Sequence, residues 1–197
     1  MSGSRDSGLL WLLLGGAVVY VLYTQTQSGG ALQSVGESVT AALSGWQNVN
    51  AGPTWVPVIN QVESSLGLPA NLLARQAYQE SRFRPDVISG VTPSSAGALG
   101  ILQLMPQYFS TVQVPVPFTT ADTEAQINQA GQQMSALFAH FGDWGLALAG
   151  YNDGQANVDA YVAGTRDLPQ ETQDYVAQVL SDVPLPSVLT GTGVQNA

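Results

Sequence analysis

The chain has 197 residues, a formal net charge of −9, no cysteine and a single histidine. The length fits one domain with appendages. Without cysteine there are no disulfides, thiolate metal sites or cysteine nucleophiles, and five arginines with no lysine do not make the basic surface that sequence-independent nucleic-acid binding needs.

The run Gly8 to Tyr23 carries no charge. As a helix it would be roughly 24 Å long, a little short of a bilayer core, and Thr24 to Thr26 bring it closer. Trp11, Tyr20 and Tyr23 suit interfacial positions. This predicts an N-terminal transmembrane helix within residues 1–27, with the N-terminus inside. A cleaved signal peptide is the competing reading. Against it, the one upstream basic residue, Arg5, adjoins Asp6, and no clear A-x-A site follows.

Residues 28–53 are rich in Gly, Ser, Gln and Asn and read as a linker. Within them Leu32, Val35, Val39, Leu43 and Trp46 recur at the spacing of a short amphipathic helix. Residues 54–182 are patterned as a mainly α domain. A first helix is predicted over Val56 to Leu66. Pro69 opens a second, through about Phe83. Asp122 or Thr123 caps a third, with Ile127, Ala130, Met134, Leu137 and Phe141 on its apolar face. Shorter helices follow at Trp144 to Tyr151, Ala156 to Val162 and Pro169 to Leu180. Ser89 to Leu104 is Gly- and Ser-rich and matches neither helix nor strand period. Residues 183–197 read as a tail.

On the second helix Leu73, Ala77 and Glu80 fall within about 60° of one another, so Glu80 points where the apolar residues point. A carboxylate there is costly when ionised, and its pKa should rise towards the range of a general acid. The alternative is a Glu at a frayed helix end that reaches solvent, and periodicity does not decide between them. Beyond Phe83-Arg84-Pro85, which ends the helix, Gln103 is an amide among apolar residues and needs a hydrogen-bond partner. His140 reads as a surface or packing residue, Asp86 as a turn cap, and Arg75, Arg82 and Arg84 as solvated helix charges. Trp46, Trp55 and Trp144 read as core.

Four segments then stand in order: Glu80-Ser81-Arg82-Phe83-Arg84-Pro85, Ala96-Gly97-Ala98-Leu99-Gly100-Ile101-Leu102-Gln103-Leu104-Met105-Pro106, Ala147 to Gly154 (ALAGYNDG), and Pro169 to Val176 (PQETQDYV). Together they resemble the soluble lytic transglycosylase domain, a lysozyme-like fold, across about Val56 to Leu180. The resemblance implies that Glu80 is the single catalytic acid/base. It implies that Ser95, Gln103, Tyr151 and Asn152 meet the glycan, and that Glu171 and Tyr175 close the site from the last helix. It implies peptidoglycan strands as substrate, a 1,6-anhydro product, and no metal or cofactor. Two departures stand out: Asp153 where the family often has Ala after Tyr-Asn, and Gly150 before Tyr151. Asp153 is expected to add negative charge near the cleft. A hydrolytic lysozyme shares fold and acid, and a non-catalytic peptidoglycan-binding membrane protein is the reading from a different class. An anchored, extracytoplasmic wall-cutter suits a phage particle or a bacterial secretion assembly.

Overall fold

The structure is a computed structural model that describes residues 8–14, 17–23, 45–109 and 115–189. The chain divides into two units, Met1–Ser44 and Gly45–Ala197. In the first, β1 (Gly8–Leu14) pairs antiparallel with β2 (Ala17–Tyr23), in a register that sets Gly8 against Tyr23 and Leu14 against Ala17. The transmembrane helix expected over this run is therefore not what forms. Val18, Val19, Tyr20, Val21 and Tyr23 are β-branched or aromatic, and Gly15-Gly16 stands between the two apolar runs, a pattern that favours paired strands over one long helix. Among the described residues no helix is long and apolar enough to cross a membrane. The amphipathic helix read around Leu32 to Leu43, and the end of the tail from residue 190, lie outside the described residues.

The second unit is mainly helical: α1 (Gly52–Leu66), α2 (Leu72–Ser81), α3 (Pro85–Ile88), α4 (Thr120–Phe141), α5 (Trp144–Asp153), α6 (Gln155–Val162) and α7 (Gln170–Asp182). Helix α2 packs on α1 and α7, α1 on α4, α4 on α5, and α5 on α7. These contacts close a ring of five helices. α5 sits deepest, with every residue from Gly145 to Gly150 buried. Its small residues let neighbours come close: a Cβ on Gly150 would stand 3.0 Å from both Leu137 and Phe141.

The start of α4 differs from the expected cap. Thr119 is the N-cap and Asp122 is N3 of a capping box, each side chain satisfying the other's backbone N–H. α2 begins later than Pro69 because Asn71 is left-handed (φ 65°) and offers no side-chain cap. Its cap comes from α1 instead. The buried carboxylate of Glu63 accepts from the backbone N–H of Asn71 at 2.7 Å and of Ala74 at 2.9 Å. This satisfies N–H groups that a helix start leaves orphaned and sets a negative charge at the positive end of the helix. Burial still pushes the Glu63 carboxyl up, against these N–H bonds.

At its other end α2 stops on two consecutive left-handed residues, Arg82 (φ 50°) and Phe83 (φ 51°). Residues read as linker hold this unusual exit. Asn50 donates its side-chain amide to the Arg82 carbonyl at 2.8 Å, and the Ala51 N–H donates to the Phe83 carbonyl at 3.1 Å. Trp46 packs its ring against Tyr78 and Phe83. Residues 45–53 thus belong to the helical unit. Arg75, expected in solvent, is buried: it donates to Asp182 at 2.6 Å and to the Gln178 carbonyl at 2.9 Å, tying α2 to α7. The segment after α7 also docks, as Asp143 accepts from Ser187 Oγ at 3.0 Å and from the Val188 N–H at 2.8 Å.

Candidate active site

Glu80 lies in the last turn of α2 and is half-buried. The Tyr175 hydroxyl, from α7, donates to its Oε1 at 2.8 Å. Burial pushes the Glu80 carboxyl up to about 7, and the Tyr175 hydrogen bond works against that rise. No second carboxylate and no cation contributes to the shift. A carboxyl at that value is populated in both protonation states near neutral pH, which suits a group that gives a proton and takes one back. Of the two sequence readings, the structure has the carboxyl turned inward onto Tyr175 rather than frayed to solvent.

Two phenols surround it. Tyr175 and Tyr151 are both raised well above the ordinary tyrosine value, by burial first and by the Glu80 charge second. Both therefore stay neutral donors. Tyr151, from α5, gives its hydrogen to the Leu102 carbonyl at 2.8 Å and so ties α5 to the Gly-rich segment.

That segment is a tight structure in its own right. Leu99 and Leu104 pair as a two-residue bridge around a turn in which Gly100 (φ +81°) and Gln103 (φ 46°) are left-handed. The Gln103 amide folds back on the Gly100 carbonyl at 2.8 Å, so the partner that its burial called for is local. The turn is clamped from α4 by Gln126, which is buried. It donates to the Leu99 carbonyl at 3.0 Å and accepts from the Leu102 N–H at 3.3 Å. A Cβ on Gly100 would lie 2.2 Å from Gln126 Oε1, so the glycine answers both a backbone angle and a close approach.

Beside this runs a cleft of about 410 Å³, lined among others by Met105, Tyr108, Gln133, Tyr151, Asn152 and Asp153. Asn152 is exposed, and its Oδ1 accepts from Thr172 Oγ1 at 2.8 Å. Asp153 does not stand as a free charge, because Arg166 meets it at 3.0 Å. The structure thus brings Glu80, Tyr151 and Tyr175 together and sets Tyr151 and Asn152 on the cleft. Ser95 is exposed on the turn that precedes Gly97, and Glu171 is exposed in the first turn of α7, one turn before Tyr175. Asp86 is bound by Arg84 and by Thr92 Oγ1 at 2.9 Å, which hold its carboxyl below the usual range. His140 pairs with Asp159 at 2.6 Å on the surface.

Sequence reasoning did not find Glu63, Gln76 or Gln126. The signal was there: each is a polar residue at helical spacing with apolar neighbours, Glu63 with Val56 and Ile59, Gln76 with Leu72 and Leu73, and Gln126 with Ala130.

A family model described as the transglycosylase SLT domain matches residues 57–173. Among solved structures, the chain is similar to an inactive mutant of the lytic transglycosylase Slt from Pseudomonas aeruginosa. Identity is 26%, the match covers 63% of this chain and 22% of that one, and the TM-score is 0.49. The chain thus spans about a fifth of that protein's length. The family match takes in more than half of the chain, with Glu80, the Gly-rich turn and Tyr151-Asn152 all inside it, and the chain belongs to the transglycosylase SLT domain family.

Proposed function

We propose that this protein is a peptidoglycan lytic transglycosylase that cuts the β-1,4 bond from N-acetylmuramic acid to N-acetylglucosamine, with Glu80 as the single acid/base. The observation that carries this reading is the Glu80 carboxyl itself: held up to about 7 by burial, bonded to Tyr175, with no second charge acting on it. Protonated Glu80 gives its proton to the glycosidic oxygen as the bond to C1 breaks through an oxocarbenium-like state. In place of a second carboxylate, the acetamido oxygen of the muramic sugar closes on C1. Glu80, now ionised, takes the proton of the sugar's own 6-hydroxyl. That oxygen displaces the acetamido oxygen and forms the 1,6-anhydro ring. No water is consumed, and the second step is intramolecular, where proximity contributes most. The neutral Tyr175 donor stabilises the carboxylate between the two steps. Asn152, Gln103 and Ser95 are placed by this reading along the glycan, and Glu171 at its rim.

Digestion of purified sacculi with the full chain, read by mass spectrometry, tests the proposal. Muropeptides with anhydro ends, lighter by one water than lysozyme products, are expected. Reducing ends alone would make the protein a hydrolase, and no release at all would make it a binding module.

Sequence alone supports a second part of the proposal: the uncharged run Gly8 to Tyr23 attaches the protein to a membrane, with the catalytic unit on the extracytoplasmic side. Membrane fractionation checks it, and recovery of the full chain in the soluble fraction without detergent would refute it.

A further inference from the structure

Gln76 is fully buried, and neither atom of its carboxamide has a hydrogen-bond partner. Buried polar groups are nearly always paired, and leaving one unpaired costs stability. The position of this one is informative. Gln76 stands one turn before Glu80 on α2, and side chains four apart on a helix are neighbours. α2 packs on α7, which delivers Tyr175, the donor to Glu80 Oε1 at 2.8 Å. The Gln76 amide bears on that same hydroxyl as a donor, although the approach falls short of a full hydrogen bond. A tyrosine hydroxyl has one hydrogen to give and lone pairs to receive. A donor facing the oxygen side leaves the hydrogen aimed away, at Glu80, and polarises the O–H bond.

We propose that Gln76 is a positioning residue whose amide keeps the Tyr175 hydroxyl aimed at the Glu80 carboxyl. The proposal rests on the reading of Glu80 as the acid/base. It gives the unpaired amide a role: Gln76 acts through Tyr175 and never meets substrate. The groups that bear on Glu80 from the packed elements are few. Tyr151 on α5 feels the Glu80 charge but is not among the groups that shift Glu80. On α7, Glu171 and Asp174 are exposed, Asp174 accepts from Gln170, and Asp182 is bound to Arg75. On α1 the one titratable residue, Glu63, caps the opposite end of α2. Tyr175 is thus the route by which Gln76 reaches the acid.

Because the Tyr175 bond favours ionised Glu80, losing the Gln76 donor should let Glu80 keep its proton to higher pH. The test is a ¹³C-carboxyl NMR titration of Glu80 in the full chain for wild type, Gln76→Met, Gln76→Leu, Tyr175→Phe and Gln76→Met combined with Tyr175→Phe. Gln76→Met and Gln76→Leu should each raise the Glu80 midpoint, by about 0.3 pH unit if one donor strengthens the next bond by a tenth to a third. Gln76→Met should add nothing to Tyr175→Phe. A residue that only fills space would change the melting temperature and leave the midpoint alone. The titration reads no turnover, so a failure of sacculus digestion would strike the proposed activity and leave the role of Gln76 to be judged by the midpoints. Unmoved midpoints in both single variants, or an equal shift in the Tyr175→Phe background, would overturn the inference.

Discussion

Replacing Glu80 with Gln should stabilise the protein in alkali and do nothing for it in acid. The carboxyl titrates at about 7 in the folded chain against an ordinary value of 4.5. Below 4.5 both folded and unfolded chains hold the proton, and the residue is neutral in each. Between the two values the folded state holds the proton and the unfolded state has lost it, so stability falls as pH rises. Above 7 the loss is complete. At 1.36 kcal/mol per pH unit it amounts to at most about 3 kcal/mol. Gln carries no charge to desolvate, and its carbonyl can still accept from Tyr175. Glu80→Gln should therefore melt with wild type at about pH 4, and roughly 6–12 °C above it at about pH 8.5, taking about 2–4 °C per kcal/mol for a chain of this size. Circular dichroism melts of both proteins at three pH values measure this. A melting difference that is the same at every pH would refute the argument, because it would mean that burial does not hold the proton on Glu80.

The same variant should lose at least about 10²-fold in sacculus-degrading rate, measured at matched folded concentration, since in the proposed mechanism one group serves both proton transfers. Glu63→Ala leaves the N–H groups of Asn71 and Ala74 without their acceptor and should cost about 2 kcal/mol in a urea melt, the scale of a lost cap or of unsatisfied buried donors. Gly100→Ala sets a methyl group against Gln126 at a left-handed backbone position; it should cost about 2 kcal/mol or more, with Gly100→Ala in a Gln126→Ala background recovering part of that loss by the same melt. Tyr151→Phe removes the bond to the Leu102 carbonyl and should cost about 1 kcal/mol, seen as a lower urea midpoint.

Much of the helical unit was legible because a 3.6-residue period survives in local sequence. The direction of Glu80 was legible in the same way, from its phase with Leu73 and Ala77, but its burial was not, because a residue in the last turn of a helix can also fray to solvent. What escaped is what depends on distant residues. Arg75 looks like a surface charge until Asp182, 107 residues on, is folded against it. Gln103 called for a partner, but nothing local said that the partner is the carbonyl three residues back. Residues 45–53 have linker composition, and only the left-handed exit of α2 gives Asn50 and Ala51 something to bind. The Gly8 to Tyr23 run shows the converse: apolar length and β-branched content point to different structures, and local pattern alone does not rank them.

The bond between Tyr175 and Glu80 spans 95 residues of chain. On a ribosome making the protein from its N-terminus, the acid emerges long before the hydroxyl that steadies its ionised form. α2 likewise waits for Asp182 and the Gln178 carbonyl before Arg75 has its partners. A chain cut off ahead of Gln170 carries Glu80, the Gly-rich turn and Tyr151-Asn152, yet lacks the wall of the site. A nascent or truncated chain is therefore unfinished at Glu80 until α7 has folded against α2 and brought Tyr175 to its carboxyl.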